Sequence, residues 1–202
     1  LDTGETITGD FFIDATGFAR LFPKKLGIEW IDYPELTLNA AIPFFIKYPK
    51  DYDLKLVATS WAQKNGWMWR IPKLDDLGNG YAFNNNFIDE NEAQREIEEL
   101  LGHPIEPVKY IKYNAGRLNS TWNKNVLSIG LSSSFLEPLE ATSIWVSIVT
   151  LETWDNLRTG LENNNENSVR IFNDMLRRVN LDVLNFIHFL YITKRNDSAF
   201  WT

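Results

Sequence analysis

The sequence predicts an α+β fold, with a mixed β-sheet region followed by a helical C-terminal part. Three observations carry this. Short runs rich in β-branched and aromatic residues dominate the first part of the chain. From Thr142 onward the apolar residues recur at helical spacing. No internal repeat and no long linker separates the two. The expected boundaries are 1–141 for the β-rich region and 142–202 for the helical one.

Asp2-Thr3-Gly4-Glu5 has the composition of a hairpin turn, followed by a short strand at Thr6-Ile7-Thr8. Asp10 to Asp14 reads as a buried strand closed by Ala15-Thr16-Gly17. Residues 36–48 fit a strand interrupted at Pro43, and residues 54–62 another. Gly66 to Pro72 alternates large apolar and other residues, as a half-buried strand does. Trp67 and Trp69 would then share a face. Leu77-Gly78-Asn79-Gly80 is a hairpin signal, with Tyr81-Ala82-Phe83 as the returning strand.

Asp89 to Leu101 is acidic and helix-forming, with Ala93, Ile97 and Leu100/Leu101 on one stripe. Tyr110 to Tyr113 and Asn125 to Gly130 read as strands. From Thr142 to Leu161 the spacing of Ile144, Ile148, Leu151, Trp154, Leu157 and Leu161 predicts a helix. Asn163-Asn164-Asn165 is a loop. Val169 to Thr193 reads as a long helical stretch broken near Asn180-Leu181-Asp182, where Asp182 would cap a new turn.

Composition narrows the function. The net charge of −7 argues against a nucleic-acid partner, which needs a basic patch. No apolar run reaches the roughly 18 residues of a membrane span. Cysteine is absent, so disulfides, thiolate metal sites and a thiol nucleophile are excluded, and a cytoplasmic location fits. His103 reads as a turn residue and His188 as a hydrogen-bonded core histidine. Two distant histidines without cysteine give no transition-metal site, so no metal is expected. Neither a Gly-x-Ser-x-Gly elbow nor a Gly-x-Gly-x-x-Gly or P-loop pattern is present. The chain opens on Leu1 with no signal-peptide pattern, and is expected to begin inside a longer protein. Eight Trp and thirteen Phe supply rings for a core or for a pocket that takes a flat organic ligand.

The segment Glu137-Pro138-Leu139-Glu140-Ala141-Thr142-Ser143 stands just before a predicted helix. On composition alone Glu137 and Glu140 are helix-start acids and Thr142 a cap. The amides of Ala141, Thr142 and Ser143 would be free donors of the first turn, which together with the helix dipole favour an anion. Ile129-Gly130-Leu131-Ser132 repeats the form of Asp14 to Gly17: a strand, a Gly, then small residues.

Taken in order, these segments resemble the flavin-dependent halogenases of the tryptophan halogenase type, over nearly the whole chain. Phe12-Ile13-Asp14-Ala15-Thr16-Gly17-Phe18 is similar to that family's second flavin-binding strand, shared with aromatic hydroxylases. Trp67-Met68-Trp69-Arg70-Ile71-Pro72 fits the family's Trp-x-Trp-x-Ile-Pro signature, which separates it from the hydroxylases. Trp122 to Val126, Gly130-Leu131 and Phe135 to Ile144 resemble its flavin and halide segment.

The resemblance implies an α/β flavoprotein monooxygenase-like fold. It implies FAD, supplied reduced by a separate NAD(P)H-dependent flavin reductase, and a halide ion, chloride or bromide. Hypohalous acid formed at the flavin would travel an internal tunnel to a small aromatic substrate such as tryptophan or indole. There a Lys and a Glu act on it, and Glu140 would be that Glu. By the same resemblance Thr142 and Ser143 bind halide, Gly17, Gly130, Leu131 and Pro138 contact the cofactor, and Phe189, Phe200 and Trp201 bind substrate, with Phe200 and Trp201 sandwiching its ring. Trp67, Trp69 and Pro72 keep substrate away from the flavin.

This sequence departs from the family pattern in three ways. The dinucleotide-binding unit and the catalytic Lys would precede Leu1, and without them this chain alone is expected to bind FAD poorly and not to halogenate. Ala141 stands where the family usually has Ser. Phe189, Leu190 and Asn196 replace the Tyr-Tyr pair and the Glu that hold tryptophan's polar end, which predicts a less polar aromatic substrate. The alternatives are a flavin-dependent aromatic hydroxylase and a non-catalytic FAD-binding remnant.

Overall fold

The computed structural model describes residues 4–48 and 56–202. The expected turn at residues 2–5 and the start of the expected strand over 54–62 fall partly outside the described residues. The elements are β1 (Phe12–Asp14), α1 (Leu21–Leu26), β2 (Trp30–Asp32), β3 (Ala40–Lys47), β4 (Thr59–Gln63), β5 (Gly66–Pro72), β6 (Asp76–Phe83), α2 (Glu90–Leu101), β7 (Ile111–Lys112), β8 (Gly116–Leu118), β9 (Trp122–Asn123), β10 (Val126–Ser128), β11 (Ser134–Phe135), α3 (Thr142–Glu162) and α4 (Glu166–Leu190). Mixed sheets plus helices make the fold α+β, as the sequence predicts. Two compact units interleave along the chain: Leu1–Leu36 with Ala115–Tyr191, and Thr37–Asn114 with Ile192–Thr202.

The first unit holds two three-stranded sheets, ordered β1-β10-β9 and β11-β8-β2. β1 runs parallel to β10, with Asp14 opposite Ser128. Trp122, Leu127, Leu161, Phe172 and Leu176 form its core, with Phe11, Trp154, Leu157 and Val169 packed on it. Asn173 on α4 accepts from the Thr121 and Trp122 amides at 2.8 and 3.0 Å and donates to the Trp122 carbonyl at 3.0 Å. This amide satisfies loop and strand groups at once and fixes α4 on the sheet edge.

Three expectations change here, and α3 turns inward a face that the sequence did not assign. Thr6-Ile7-Thr8 forms no strand, and Ile7 is exposed, so no burial favours extension. α4 runs unbroken through Asn180, whose side chain is buried and donates to the Leu176 carbonyl at 2.8 Å. That bond satisfies a polar group that otherwise favours a break. His188 lies exposed in the last turn of α4 and is not a core histidine. α3 forms over the expected range, but Ile144, Ile148 and Leu151 face outward, while Val146, Thr150 and Thr153 are buried. Thr150 is tolerated inside because its hydroxyl donates to the Val146 carbonyl at 2.7 Å.

The second unit is one five-stranded sheet, ordered β4-β5-β6-β3-β7, with α2 packed on it. Tyr81, Phe83, Met68, Phe44 and Ile42 meet Ala93 and Ile97 of α2 in the core. α2 begins with a complete capping box between Asp89 and Glu92.

Pro43 does not interrupt β3. Its carbonyl accepts from the Val108 amide at 2.8 Å, so its missing N–H lies on that side, away from the full ladder with β6. Gly78 and Gly80 are not a turn either. They lie inside β6, and the chain reverses between Pro72 and Leu77, which pair directly. Trp67 and Trp69 pair with Ala82 and Gly80 on the neighbouring strand. A Cβ at Gly80 would lie 1.9 Å from the Trp69 ring, so the glycine is there to make room for the indole.

Candidate active site

In the first unit β1 and β10 end side by side, and their carboxyl ends open into the turns at Gly17–Ala19 and Gly130–Ser132. This is where ligands bind in parallel sheets. The turns are braced by internal bonds. The Ile129 amide donates to the Asp14 carbonyl at 2.9 Å, and the Ser132 hydroxyl donates to it as well.

Asp14 is fully buried and its carboxylate is occupied by the protein itself. One oxygen accepts from the Thr16 amide and hydroxyl at 2.9 and 2.6 Å, and the other from the Phe22 amide at 2.7 Å. Burial pushes this carboxyl up, but the bonds from Thr16 and Phe22 outweigh it and hold it below the usual aspartate range. Asp14 therefore shapes the turn and is no free acid.

Gly17 and Gly130 both have left-handed backbone, with φ of 65° and 62°. At Gly17 no atom lies within 4 Å of the Cβ position, and at Gly130 the nearest is the Ser147 hydroxyl at 3.9 Å. Bare backbone thus faces open space in both turns, and the Gly130 turn lies against the start of α3. Ser147 in turn donates to the Ser143 carbonyl at 2.8 Å.

Among the described residues, only the segment into α3 has two consecutive non-glycine residues in the left-handed region. Glu140 (φ 53°, ψ 27°) and Ala141 (φ 52°, ψ 25°) are consecutive left-handed residues. For residues with a Cβ this costs roughly 1–2 kcal/mol each. Such strain persists only where the surroundings impose it, and it concentrates at functional sites. Leu136, Glu137, Leu139 and Thr142 are buried on either side.

α3 starts at Ala141 with no side-chain cap, which corrects the reading of Thr142 as that cap. Thr142 turns inward, and both its amide and its hydroxyl donate to the Leu139 carbonyl. One of the three amides expected to be free is therefore engaged. The Ser143 hydroxyl is buried with no partner among the described residues, a polar atom left for a ligand.

Glu140 itself is exposed and lines a cavity of about 400 Å³ with Thr142, Trp145, Asp182, Val183 and Phe186. Trp145 and Phe186 supply aromatic wall, as pockets for flat organic ligands do. The sequence marks Asp182 only as a helix cap and neither ring as a pocket wall: they meet because the start of α3 lies against the C-terminal half of α4. Pro138 sits two residues before Glu140 and Leu131 one residue after Gly130. Phe189 is exposed at the end of α4.

Trp67, Trp69, Pro72, Phe200 and Trp201 belong to the second unit. Trp67 and Trp69 share a face, with ring centroids 5.8 Å apart. Phe200 and Trp201 meet edge to face at 4.9 Å and 85°. Rings so arranged leave no parallel slot between them. The Trp201 indole N–H donates to the Gln63 carbonyl at 2.7 Å, and the Arg195 guanidinium lies 4.9 Å from its ring centroid. Among the described residues no group of three or more His, Cys, Asp or Glu is placed to hold a metal ion, and no helix is long and apolar enough to cross a membrane.

Comparison with known proteins matches these features. The family profile described as "Tryptophan halogenase" covers residues 1–202. Tryptophan 7-halogenase RebH from Lentzea aerocolonigenes is 33% identical over 208 residues, covering 98% of this chain and 38% of that protein. The structure of BrvH, a flavin-dependent halogenase from Brevundimonas sp. BAL3, superposes with a TM-score of 0.91 at 31% identity, over 99% of this chain and 41% of BrvH. Xcc4156, a flavin-dependent halogenase from Xanthomonas campestris, gives a TM-score of 0.91 at 28% identity, over 100% of this chain and 41% of its own. The chain thus spans about two-fifths of the length of these relatives. With its signature strand, its glycine turns and its strained acidic helix start, the chain belongs to the tryptophan halogenase family.

Proposed function

We propose that the protein carrying this chain is a flavin-dependent halogenase acting on a small aromatic substrate. The observation that carries the reading is Glu140, held in a left-handed turn at the wall of a cavity that Trp145 and Phe186 also line. The residues fit the cofactor and halide that the family implies. The Gly17 and Gly130 turns offer backbone with no side chain in the way, and Ser143 offers an unpartnered hydroxyl at a helix start.

FAD would lie along Gly17, Gly130, Leu131 and Pro138, and halide, chloride or bromide, at the Thr142–Ser143 helix start. When bound, reduced FAD with O₂ supplies the oxidising power that turns halide into hypohalous acid. A separate flavin reductase provides the reduced form.

Glu140 then acts on the substrate side. Its carboxylate accepts the O–H of hypohalous acid and aims the halogen at a ring carbon. The carbon–halogen bond forms as the oxygen–halogen bond breaks; the ring proton passes to the carboxylate, which hands it to the departing hydroxide, so that water leaves and the carboxylate is restored. The carboxylate's role therefore follows the flavin step. By the family resemblance, Phe189, Phe200 and Trp201 are the residues that would bind the ring. With Phe189, Leu190 and Asn196 in place of hydroxyls and a carboxylate, the substrate is an aromatic less polar than a free amino acid. By the family resemblance, Trp67, Trp69 and Pro72 would keep the ring away from the flavin.

In the full-length protein, Glu140→Gln is expected to cut halogenation by about 10²-fold or more while flavin reoxidation continues. Collapse of both would make Glu140 structural or flavin-linked. Assaying products with and without bromide tests the reaction class. A hydroxylated product that ignores halide would identify a hydroxylase and end this reading.

A further inference from the structure

The Glu140–Ala141 turn is strained, and Ala141 has no side-chain donor to hold it. Leu136 and Leu139 bury the segment, but apolar packing sets depth more than direction. Glu137 differs from them. It is a carboxylate only 1% exposed, three residues before Glu140, and it accepts from the Tyr191 hydroxyl at 2.7 Å. A buried carboxyl group needs polar partners, and a hydroxyl-to-carboxyl bond of this length is directional. Tyr191 caps the end of α4, where its amide also bonds back to the His188 and Phe189 carbonyls. The bond therefore joins the segment carrying Glu140 to the end of the helix that presents Phe189.

We propose that Glu137 and Tyr191 are a positioning pair. Together they hold the Glu140–Ala141 turn in its left-handed form and so keep halogenation coupled to flavin turnover. This rests on the role given to Glu140 above. Neither residue touches substrate in this scheme: each acts through Glu140. A turn that relaxes by an ångström would still let hypohalous acid form and would then fail to deliver it.

The test compares Tyr191→Phe, Glu137→Gln and Glu140→Gln in the full-length protein with reductase-supplied reduced FAD, bromide and an indole substrate. Three quantities are followed: flavin reoxidation, halogenated product per O₂ consumed, and hypohalous acid caught by a chemical scavenger. Tyr191→Phe is expected to lower product per O₂ by about tenfold to a hundredfold, with scavenged acid rising and reoxidation within about twofold of the parent. Glu137→Gln keeps an acceptor for the tyrosine hydroxyl and should retain more product than Tyr191→Phe. A Glu137→Gln/Tyr191→Phe double variant should be no worse than Tyr191→Phe alone, because without the tyrosine hydroxyl the acceptor at 137 has nothing left to receive.

Unchanged product per O₂ in Tyr191→Phe, with Glu140→Gln inactive, overturns the pair and leaves the function intact. Parallel loss of reoxidation in Tyr191→Phe overturns it as well, since a general structural defect explains that result. Full halogenation by Glu140→Gln instead removes the functional reading and the pair with it.

Discussion

Gly80 and Trp69 face each other across β5 and β6, and each explains the other. The indole occupies the space a side chain at Gly80 would need. Gly80→Ala forces the ring off its rotamer or moves the strand, at about 1–3 kcal/mol by denaturant unfolding. Trp69→Ala in the same chain should remove most of that penalty, and an undiminished penalty would show that the contact is not its source. Asp14 is the other case. Its pKa lies below the ordinary aspartate value of 3.8, so its stabilisation is fully present above that value and is lost as pH falls through the folded one. Asp14→Asn should cost on the order of 1–3 kcal/mol at neutral pH by leaving buried donors poorly met. The gap between parent and variant should close as pH drops below about 4, which unfolding curves across pH would reveal.

The helices differ in how local their causes are. α2 starts at Asp89 because Asp89 and Glu92 satisfy each other's backbone amides. Asp89→Ala should lower stability by about 0.5–2 kcal/mol, with the helix end fraying in hydrogen exchange. That start was legible because the cap, the acid three residues on and the buried Ala93–Ile97 stripe are all local. α3 and α4 were legible as helices for the same reason, since apolar spacing sets period. Which face turns inward was not. Ile144 and Ile148 face outward while Thr150 faces in, because the neighbour, not the helix, chooses the face. α4 passes through Asn180 because a carbonyl one turn back takes its side chain. Pro43 and Gly80 sit inside strands because their particular neighbours suit a missing N–H and a missing Cβ.

The whole molecule brings together what the chain order keeps apart. The C-terminal segment returns to the second unit, where Trp201 donates to Gln63 across 138 residues of sequence. Trp201→Phe keeps an aromatic ring and deletes that bond. It should cost about 0.5–1.5 kcal/mol and raise proteolysis or hydrogen exchange over residues 192–202 before the sheet itself responds. Unchanged protection there would mean that the other contacts of the segment, such as the Ser198 hydroxyl's bond to the Lys64 carbonyl, suffice to retain it.

The strand signature at Trp67 to Pro72, the glycine turns after β1 and β10, and the acidic start of α3 were all legible in the linear order. Each is a short pattern whose chemistry lies in adjacent residues, and together they carried the family. The paired left-handed backbone at Glu140 and Ala141 was not legible, because neither residue favours it and distant packing imposes it. Nor was the cavity wall of Trp145, Asp182 and Phe186, or the bond from Tyr191 to Glu137 across 54 positions. Those contacts depend on how α3 and α4 seat on the sheets, and a helical period carries no information about which partner a face will meet.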